Sequence, residues 1–376
     1  MSLWAWVLVS SFVVDGYTGF HLARGGWQDQ IWQTPVGLAS LGVSTELGPW
    51  GSVAVRFLFF DILQGSRHTP AYRPYLQEAS ATLHLPGHWH LTLGHQPLSF
   101  KDGFFLTDIG DGMDAVRLSG PLTGGQASLF YVLQGNRFFG DHPTGDFAGV
   151  YWSSRLLDLY TALRTDGTGV LWLGARAEMQ RGSLETVAEV AGVHTADQWF
   201  PAFQGVLRWH TPAGRLGAGG YYLHHHWQKP TSYPQVMDGF YNGWTAFGEA
   251  LNWVVLPLRL APWVSSAGLQ DPYAVYWPDP HNLWVVNVHL RRPFGGPVAL
   301  RWDLFAYGLS EDPETGEAWP FLGPELAWTA TVEHQGFTVG LSAGVFFPKE
   351  ILGTEAVAWS VRLWSFAPFG APWDGE

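Results

Sequence analysis

Residues Phe337 to Val345 read FTVGLSAGV, and the stretch alternates strictly between two kinds of residue. Phe337, Val339, Leu341, Ala343 and Val345 are apolar, whereas Thr, Gly and Ser stand between them. A period of two places successive side chains on opposite faces of a β-strand. The stretch therefore predicts a strand with one apolar face and one small or polar face, and we expect the apolar face to contact lipid.

The same alternation recurs along the chain, while helical periodicity is scarce. It runs from Val53 to Phe59 and from Leu171 to Glu178, with apolar residues on one face and arginine or glutamate on the other. Near the C-terminus it predicts a last strand over about Val357 to Phe366, which we expect to pair with the first strand. The pattern indicates an all-β protein.

The connections between these strands differ in length in a regular way. Tight turns are predicted at Gly48–Gly51, Pro86–Trp89, Thr123–Gly125, Gly295–Pro297 and Gln335–Gly336. Long polar loops are predicted at Arg67–Tyr75, Lys101–Met113, Arg137–Gly145, Gln228–Asn242, Asp271–Asn282 and Ser310–Pro324. Tight and long connections that largely alternate are typical of transmembrane barrels. We predict one antiparallel up-and-down barrel over residues 1–376, with about 18 strands and at most about 20.

The composition favours a membrane protein over a soluble one. Of the 376 residues only 14% are charged, whereas 16% are aromatic and 22 are Trp; a typical soluble domain is about 25% charged. Trp residues are concentrated near predicted strand ends, as in the aromatic girdles at membrane interfaces; they are Trp50, Trp89, Trp152, Trp244, Trp253, Trp263, Trp277 and Trp284. We therefore expect a bacterial outer-membrane protein with lipid as its main partner.

Charge and cysteine content exclude other classes. The net charge is −12 and Cys is absent, so we expect no nucleic-acid partner, disulfide or Cys-based metal site. The longest apolar run, Leu3 to Val14, is too short for a membrane-spanning helix. It is either the remnant of a signal peptide or part of the first strand.

A longer stretch, Gln77 to Asn136, carries three short motifs: Gly94-His95-Gln96, Asp102-Gly103 and Asp114 to Leu118. In these it resembles the alginate-export-type family of outer-membrane barrels. The resemblance implies a monomeric barrel of about 18 strands that acts as a channel. His95 stands where the family usually has Arg, so the resemblance supports a barrel and a channel more than alginate as the solute.

Charged residues in mid-strand, opposite the apolar faces, are the candidate pore lining, because rings of charged side chains set ion selectivity. They are Arg56, Glu78, Arg117, Arg164, Arg176, Glu178, Arg208, Arg301, Asp303 and Arg362. The alternative role is cross-strand ion pairing that stiffens the wall. The excess of Arg predicts a weak preference for anions.

Within the loop Lys101–Met113 we predict a constriction formed by Phe104, Phe105, Asp108 and Asp111.

The chain contains no Gly-x-Ser-x-Gly elbow, His-Glu-x-x-His motif or Walker loop. His224-His225-His226 offers at most two ligands on one face of a strand. We therefore predict no catalytic residues, metal or cofactor, and a channel for small or anionic solutes, with export of an acidic polysaccharide as its more specific form. Two alternatives stay open, a soluble or surface all-β carbohydrate-binding protein and a barrel hydrolase.

Overall fold

The computed structural model describes residues 12–27, 30–62, 74–98, 100, 113–133, 146–165, 167, 169–195, 197–227, 282–312, 315–349 and 356–370. Within these ranges the chain forms strands and one short 3-10 turn, Gly48–Trp50. In the same ranges no helix has the length and apolar character needed to cross a membrane.

The strands, in chain order, are β1 (Phe12–Trp27), β2 (Gln30–Glu46), β3 (Gly51–Ile62), β4 (Pro74–Leu85), β5 (Trp89–Gln96), β6 (Met113–Leu122), β7 (Gly125–Val132), β8 (Phe147–Ser153), β9 (Leu157–Arg164), β10 (Leu171–Arg181), β11 (Leu184–Thr195), β12 (Gln198–Thr211), β13 (Gly214–Leu223), β14 (Leu283–Pro293), β15 (Val298–Gly308), β16 (Phe321–His334), β17 (Phe337–Phe346) and β18 (Ala358–Gly370).

Each strand pairs antiparallel with its neighbours in sequence, and β18 pairs with β1, so the sheet closes on itself with 18 strands. The closing register runs from Asp15 opposite Gly370 to Gly26 opposite Trp359. This confirms the predicted antiparallel barrel and the pairing of the last strand with the first. Closure leaves no open sheet edge, which is the condition for a β-structure to exist in lipid.

The two ends of the barrel differ as predicted, with two exceptions. At one end, here called the short-turn end, all eight connections have two to four residues: 47–50, 86–88, 123–124, 154–156, 182–183, 212–213, 294–297 and 335–336. At the opposite end, called the long-connection end, most connections are longer: 63–73, 97–112, 133–146, 165–170, 224–282, 309–320 and 347–357. The exceptions there are 28–29 and 196–197.

The loops predicted at Gln228–Asn242 and Asp271–Asn282 lie outside the described residues except for Asn282, and the flanking strands β13 and β14 pair directly with each other. Among the two-residue turns at the short-turn end, Thr123-Gly124 and Gln335-Gly336 have positive φ at both residues. This backbone is typical of type I′ turns, whose twist matches that of paired strands.

Most exposed large apolar side chains point away from the barrel axis, while a buried set that includes Phe147, Trp172 and Tyr307 faces the interior. In β17, Phe337, Leu341 and Val345 are exposed, whereas Gly340 and Ser342 on the other face are buried. Exposed aromatic residues lie near both ends, with Trp50, Trp209 and Phe294 at the short-turn end and Trp199, Trp319 and Trp359 at the other. An apolar exterior with aromatic girdles is the surface that a bilayer covers.

Several predicted residues lie outside the described part of the chain. They include four of the girdle tryptophans, Trp244, Trp253, Trp263 and Trp277. Of the apolar run Leu3 to Val14, residues 12–14 belong to β1 and the rest lie outside the described ranges.

Candidate functional site: the charged inner wall

Strand alternation decides which side chains face the interior. In β12, Phe203, Leu207 and Trp209 are exposed, whereas Ala202 and Gln204 are buried. The same alternation and the cross-strand registers place all ten candidate residues on the inner face: Arg56, Glu78, Arg117, Arg164, Arg176, Glu178, Arg208, Arg301, Asp303 and Arg362. The predicted constriction residues Phe104, Phe105, Asp108 and Asp111 lie outside the described residues.

Arg56 on β3 forms an ion pair with Asp15 on β1, two strands away. Its Nη2 lies 2.7 Å from Oδ1 and 3.0 Å from Oδ2 of Asp15. Gly42 of β2 stands between them in the register, and a Cβ there would lie 2.5 Å from Asp15 Oδ1. The missing side chain of Gly42 is therefore what lets the pair form across β2. Glu78, opposite Arg56, accepts a hydrogen bond from Ser80 Oγ at 2.7 Å.

Two inner arginines pack on aromatic rings. The guanidinium carbon of Arg117 lies 5.3 Å from the ring centre of Phe100, and that of Arg164 lies 5.8 Å from the ring centre of Trp172. These distances are within the range of cation–π attraction. Arg117 also donates to Ser128 Oγ at 3.3 Å. The rings hold both guanidinium groups against the inner wall.

An acid-rich network occupies β9 to β12. The carboxylate of Glu189, 1% exposed, accepts hydrogen bonds from Tyr160 Oη and Gln204 Nε2, each at 2.6 Å. Arg176 lies opposite Glu189 in the register and 3.8 Å from Glu178. Gly174 makes room for the Tyr160 ring, because a Cβ at that position would lie 2.0 Å from the ring. The Arg176 charge is thus accompanied by carboxylates on neighbouring strands.

Basic residues predominate on the inner face of β12 to β18, where a line of arginines crosses adjacent strands. Arg215, Arg291 and Arg301 stand directly opposite one another on β13, β14 and β15. The register continues through β16 and β17 to Arg362 on β18, which donates to Ser342 Oγ at 3.3 Å. We call these four arginines the basic row. Like charges directly opposite on paired strands are destabilising, so this arrangement costs stability.

An acidic residue, Asp303, accompanies the basic row on β15. Arg301 forms an ion pair with Asp303 at 2.7 Å, and Asp303 also accepts from Asn287 Nδ2 at 3.1 Å. Beside the row, Arg208 pairs with Glu185 of β11, whose second oxygen lies 3.2 Å from His210 Nε2. The part of the inner wall on β13 to β15 therefore carries a local excess of positive charge.

Sequence reasoning missed Asp15 and Arg215. Asp15 follows the apolar Phe12 to Val14, and its partner is 41 residues away. Arg215 had a detectable signal, because it alternates with the exposed Leu216 directly after the turn at 212–213. His95, which stands where the resembled family usually has Arg, does not face the interior. It shares the outer face with Asp114, whose Oδ1 lies 2.9 Å from its Nδ1, while its neighbour Gln96 is buried on the inner face.

Among the described residues, no group of three or more His, Asp or Glu side chains is arranged to hold a metal ion. No protein-family model matches the chain, and no curated protein matches it in sequence. The resemblance to the alginate-export-type family therefore gains no support from these comparisons.

Solved structures do resemble the whole chain. OpdL of Pseudomonas aeruginosa has a TM-score of 0.64 at 12% identity, with 96% of this chain and 99% of that chain covered. OccK2 (OpdF) of the same organism has a TM-score of 0.62 at 12% identity, covering 96% and 98%. A second OccK2 structure, in complex with glucuronate, gives 0.60 at 12% identity, covering 96% and 98%. At these identities the likeness concerns the fold alone, and the chain has the closed 18-strand barrel of outer-membrane porins.

Proposed function

We propose that this protein is a passive outer-membrane channel that favours small anionic solutes. A closed barrel with an apolar exterior and a charged interior suits a polar path through a membrane. The porin-like fold of OpdL and OccK2 supports the same function. Solutes would move down their gradient without a catalytic step.

The basic row is the observation that supports the proposed preference for anions. Selectivity depends on the charges along the path and not on the net charge of −12. The basic row places Arg215 and Arg291 side by side on the inner face, with Arg301 opposite Arg291 on the next strand.

The exposed apolar exterior favours a membrane channel over a soluble carbohydrate-binding protein. A soluble carbohydrate-binding protein would have to leave large residues such as Val190 (63% exposed) and Leu326 (56% exposed) in water on a continuous apolar surface. Soluble monomers rarely expose apolar patches of that extent. We therefore favour the membrane channel.

Reversal potentials in a salt gradient across a planar bilayer test the proposal. We expect the wild type to prefer anions and the double variant Arg215→Gln/Arg291→Gln to lose much of that preference. The matched control is Arg181→Gln/Arg292→Gln, which removes two exposed arginines from the outer face near the short-turn end. A cation-selective wild type, or equal selectivity in both variants, would refute the role of the basic row.

Export of an acidic polysaccharide is the more specific form of this proposal, because a polyuronate presents the same carboxylates as a small anion. Vesicles with the protein reconstituted in their membranes distinguish passage of small anions from export of a polysaccharide. Swelling in a monosaccharide acid without uptake or release of a long polyuronate would restrict the channel to small solutes. Transport of the polymer would support export.

A further inference from the structure

Three consecutive histidines, His224, His225 and His226, follow β13 at the long-connection end. Their rings are in contact, since the ring centres of His224 and His225 are 4.2 Å apart and those of His225 and His226 are 4.0 Å apart. His224 Nδ1 accepts a hydrogen bond from the backbone N–H of His226 at 3.1 Å. A ring nitrogen that accepts a hydrogen bond carries no proton, so this arrangement requires His224 to be neutral.

The histidines contact the connection between β15 and β16 and the far end of their own connection, 224–282. His225 Nδ1 lies 3.4 Å from Glu311 Oε2, in the connection between β15 and β16. Asn282, which precedes β14, donates through its side chain to Glu311 O at 3.0 Å and accepts from Ser310 Oγ at 2.6 Å. Its backbone N–H donates to His224 O at 3.4 Å. Both ends of the β13–β14 connection and the β15–β16 connection thus meet at this cluster.

The electrostatic surroundings of His224 oppose its protonation. Burial lowers its pKa to about 4, and His225 and His226 act in the same direction, while Glu311 acts to raise it. The uncharged ring of Phe200, from β12, packs 5.0 Å from both His224 and His226. A pKa held below the ordinary value of 6.5 means that the folded cluster is favoured above pH 6.5 and loses stability as the pH falls toward 4.

We propose that His224, His225 and His226 together with Glu311 form an acid-released latch, which holds the end of β13 against the β15–β16 connection at the mouth of the barrel. In acid a proton on His224 Nδ1 removes the acceptor for the His226 N–H. The new charge then lies on a half-buried ring that is stacked 4.2 Å from the His225 ring, where burial opposes it. The latch opens, and the mouth changes shape.

A spin label tests the latch directly and independently of conduction. The chain contains no Cys, so Ala318→Cys provides one labelling site, exposed and opposite Glu311 in a β-bridge. We expect label mobility to rise as the pH falls from 6.5 toward 4. In the variant with His224, His225 and His226 all replaced by Asn, mobility should not depend on pH in this range.

The control is His84→Asn/His90→Asn, which removes a pair of histidines in edge-on contact at 5.0 Å near the short-turn end. It should keep the full acid response. Heat-dependent migration on gels verifies that each variant forms the barrel. If the triple variant does not form it, the single variant His224→Asn takes its place in the experiment. Label mobility that is unchanged by acid in the wild type, or changed equally in the triple variant, would overturn the latch.

The effect on transport rests on the proposed function. In planar bilayers we expect the conductance of the wild type to change over the same pH range and that of the triple variant to stay constant. A barrel that conducts nothing would refute the channel, while the spin label would still decide on the latch.

Discussion

An arginine scan along the outer face of β17 tests whether this face lies in the bilayer and where its centre is. Phe337, Val339, Leu341 and Val345 share that face, and Thr338 lies on the inner one. A strand rises about 3.4 Å per residue, and a tilt of about 40° reduces this to about 2.6 Å along the membrane normal. Leu341 therefore lies about 10 Å from both Phe337 and Val345 along the normal, near the centre of an apolar band about 25 Å tall.

The depth of each site determines the expected cost. Leu341→Arg should lower the free energy of unfolding by about 2–4 kcal/mol, because a guanidinium at the midplane loses its hydration. Phe337→Arg, in the aromatic girdle, should cost about 0–1 kcal/mol. Val339→Arg should fall between the two. Thr338→Arg is the matched control, since it faces the interior opposite Glu333, with which it can pair.

Reversible unfolding of each variant from lipid vesicles in denaturant measures these differences, with the heat-dependent shift on gels as a check of assembly. The order of costs should be Leu341→Arg, then Val339→Arg, then Phe337→Arg. If Leu341→Arg costs no more than Phe337→Arg, or if Thr338→Arg costs as much as Val339→Arg, the assignment of the outer face to lipid is wrong.

Three further changes have defined outcomes. Removing residues 354–376 deletes β18, which closes the ring between β17 and β1, so no heat-modifiable, membrane-inserted product should form. Glu189→Leu removes the buried carboxylate opposite Arg176. Chemical denaturation should show that the free energy of unfolding falls by about 3–5 kcal/mol, whereas an unchanged value would mean that Glu189 and Arg176 are not coupled. Gly217→Ala places a Cβ 2.2 Å from the His289 ring; it should cost about 1–3 kcal/mol in the same assay, and an unchanged midpoint would contradict this packing.

Local patterns were sufficient to predict the strands, their faces and most turns. The alternation in β17 and β18 and the Gly-containing turns at 123–124 and 335–336 are properties of neighbouring residues, and the period of two relates them directly to structure. The same patterns put all ten candidate charges on the inner face, because facing follows from parity along each strand. Whether these charges line the conducting path is still a prediction.

The tertiary structure fixed the strand count at 18 within the predicted 18 to 20, and it alone decided the partners of each charge. The count is 18 because β13 pairs directly with β14 and β18 with β1, and no local pattern reveals which distant strands meet. The ion pair of Arg56 with Asp15 and the juxtaposition of Arg215 with Arg291 depend on registers between segments far apart in the chain. A shift of one residue in either register would turn these side chains to the other face. The physical reason is that facing is a local property of a strand, whereas the pairing of its charges is set only when the barrel closes.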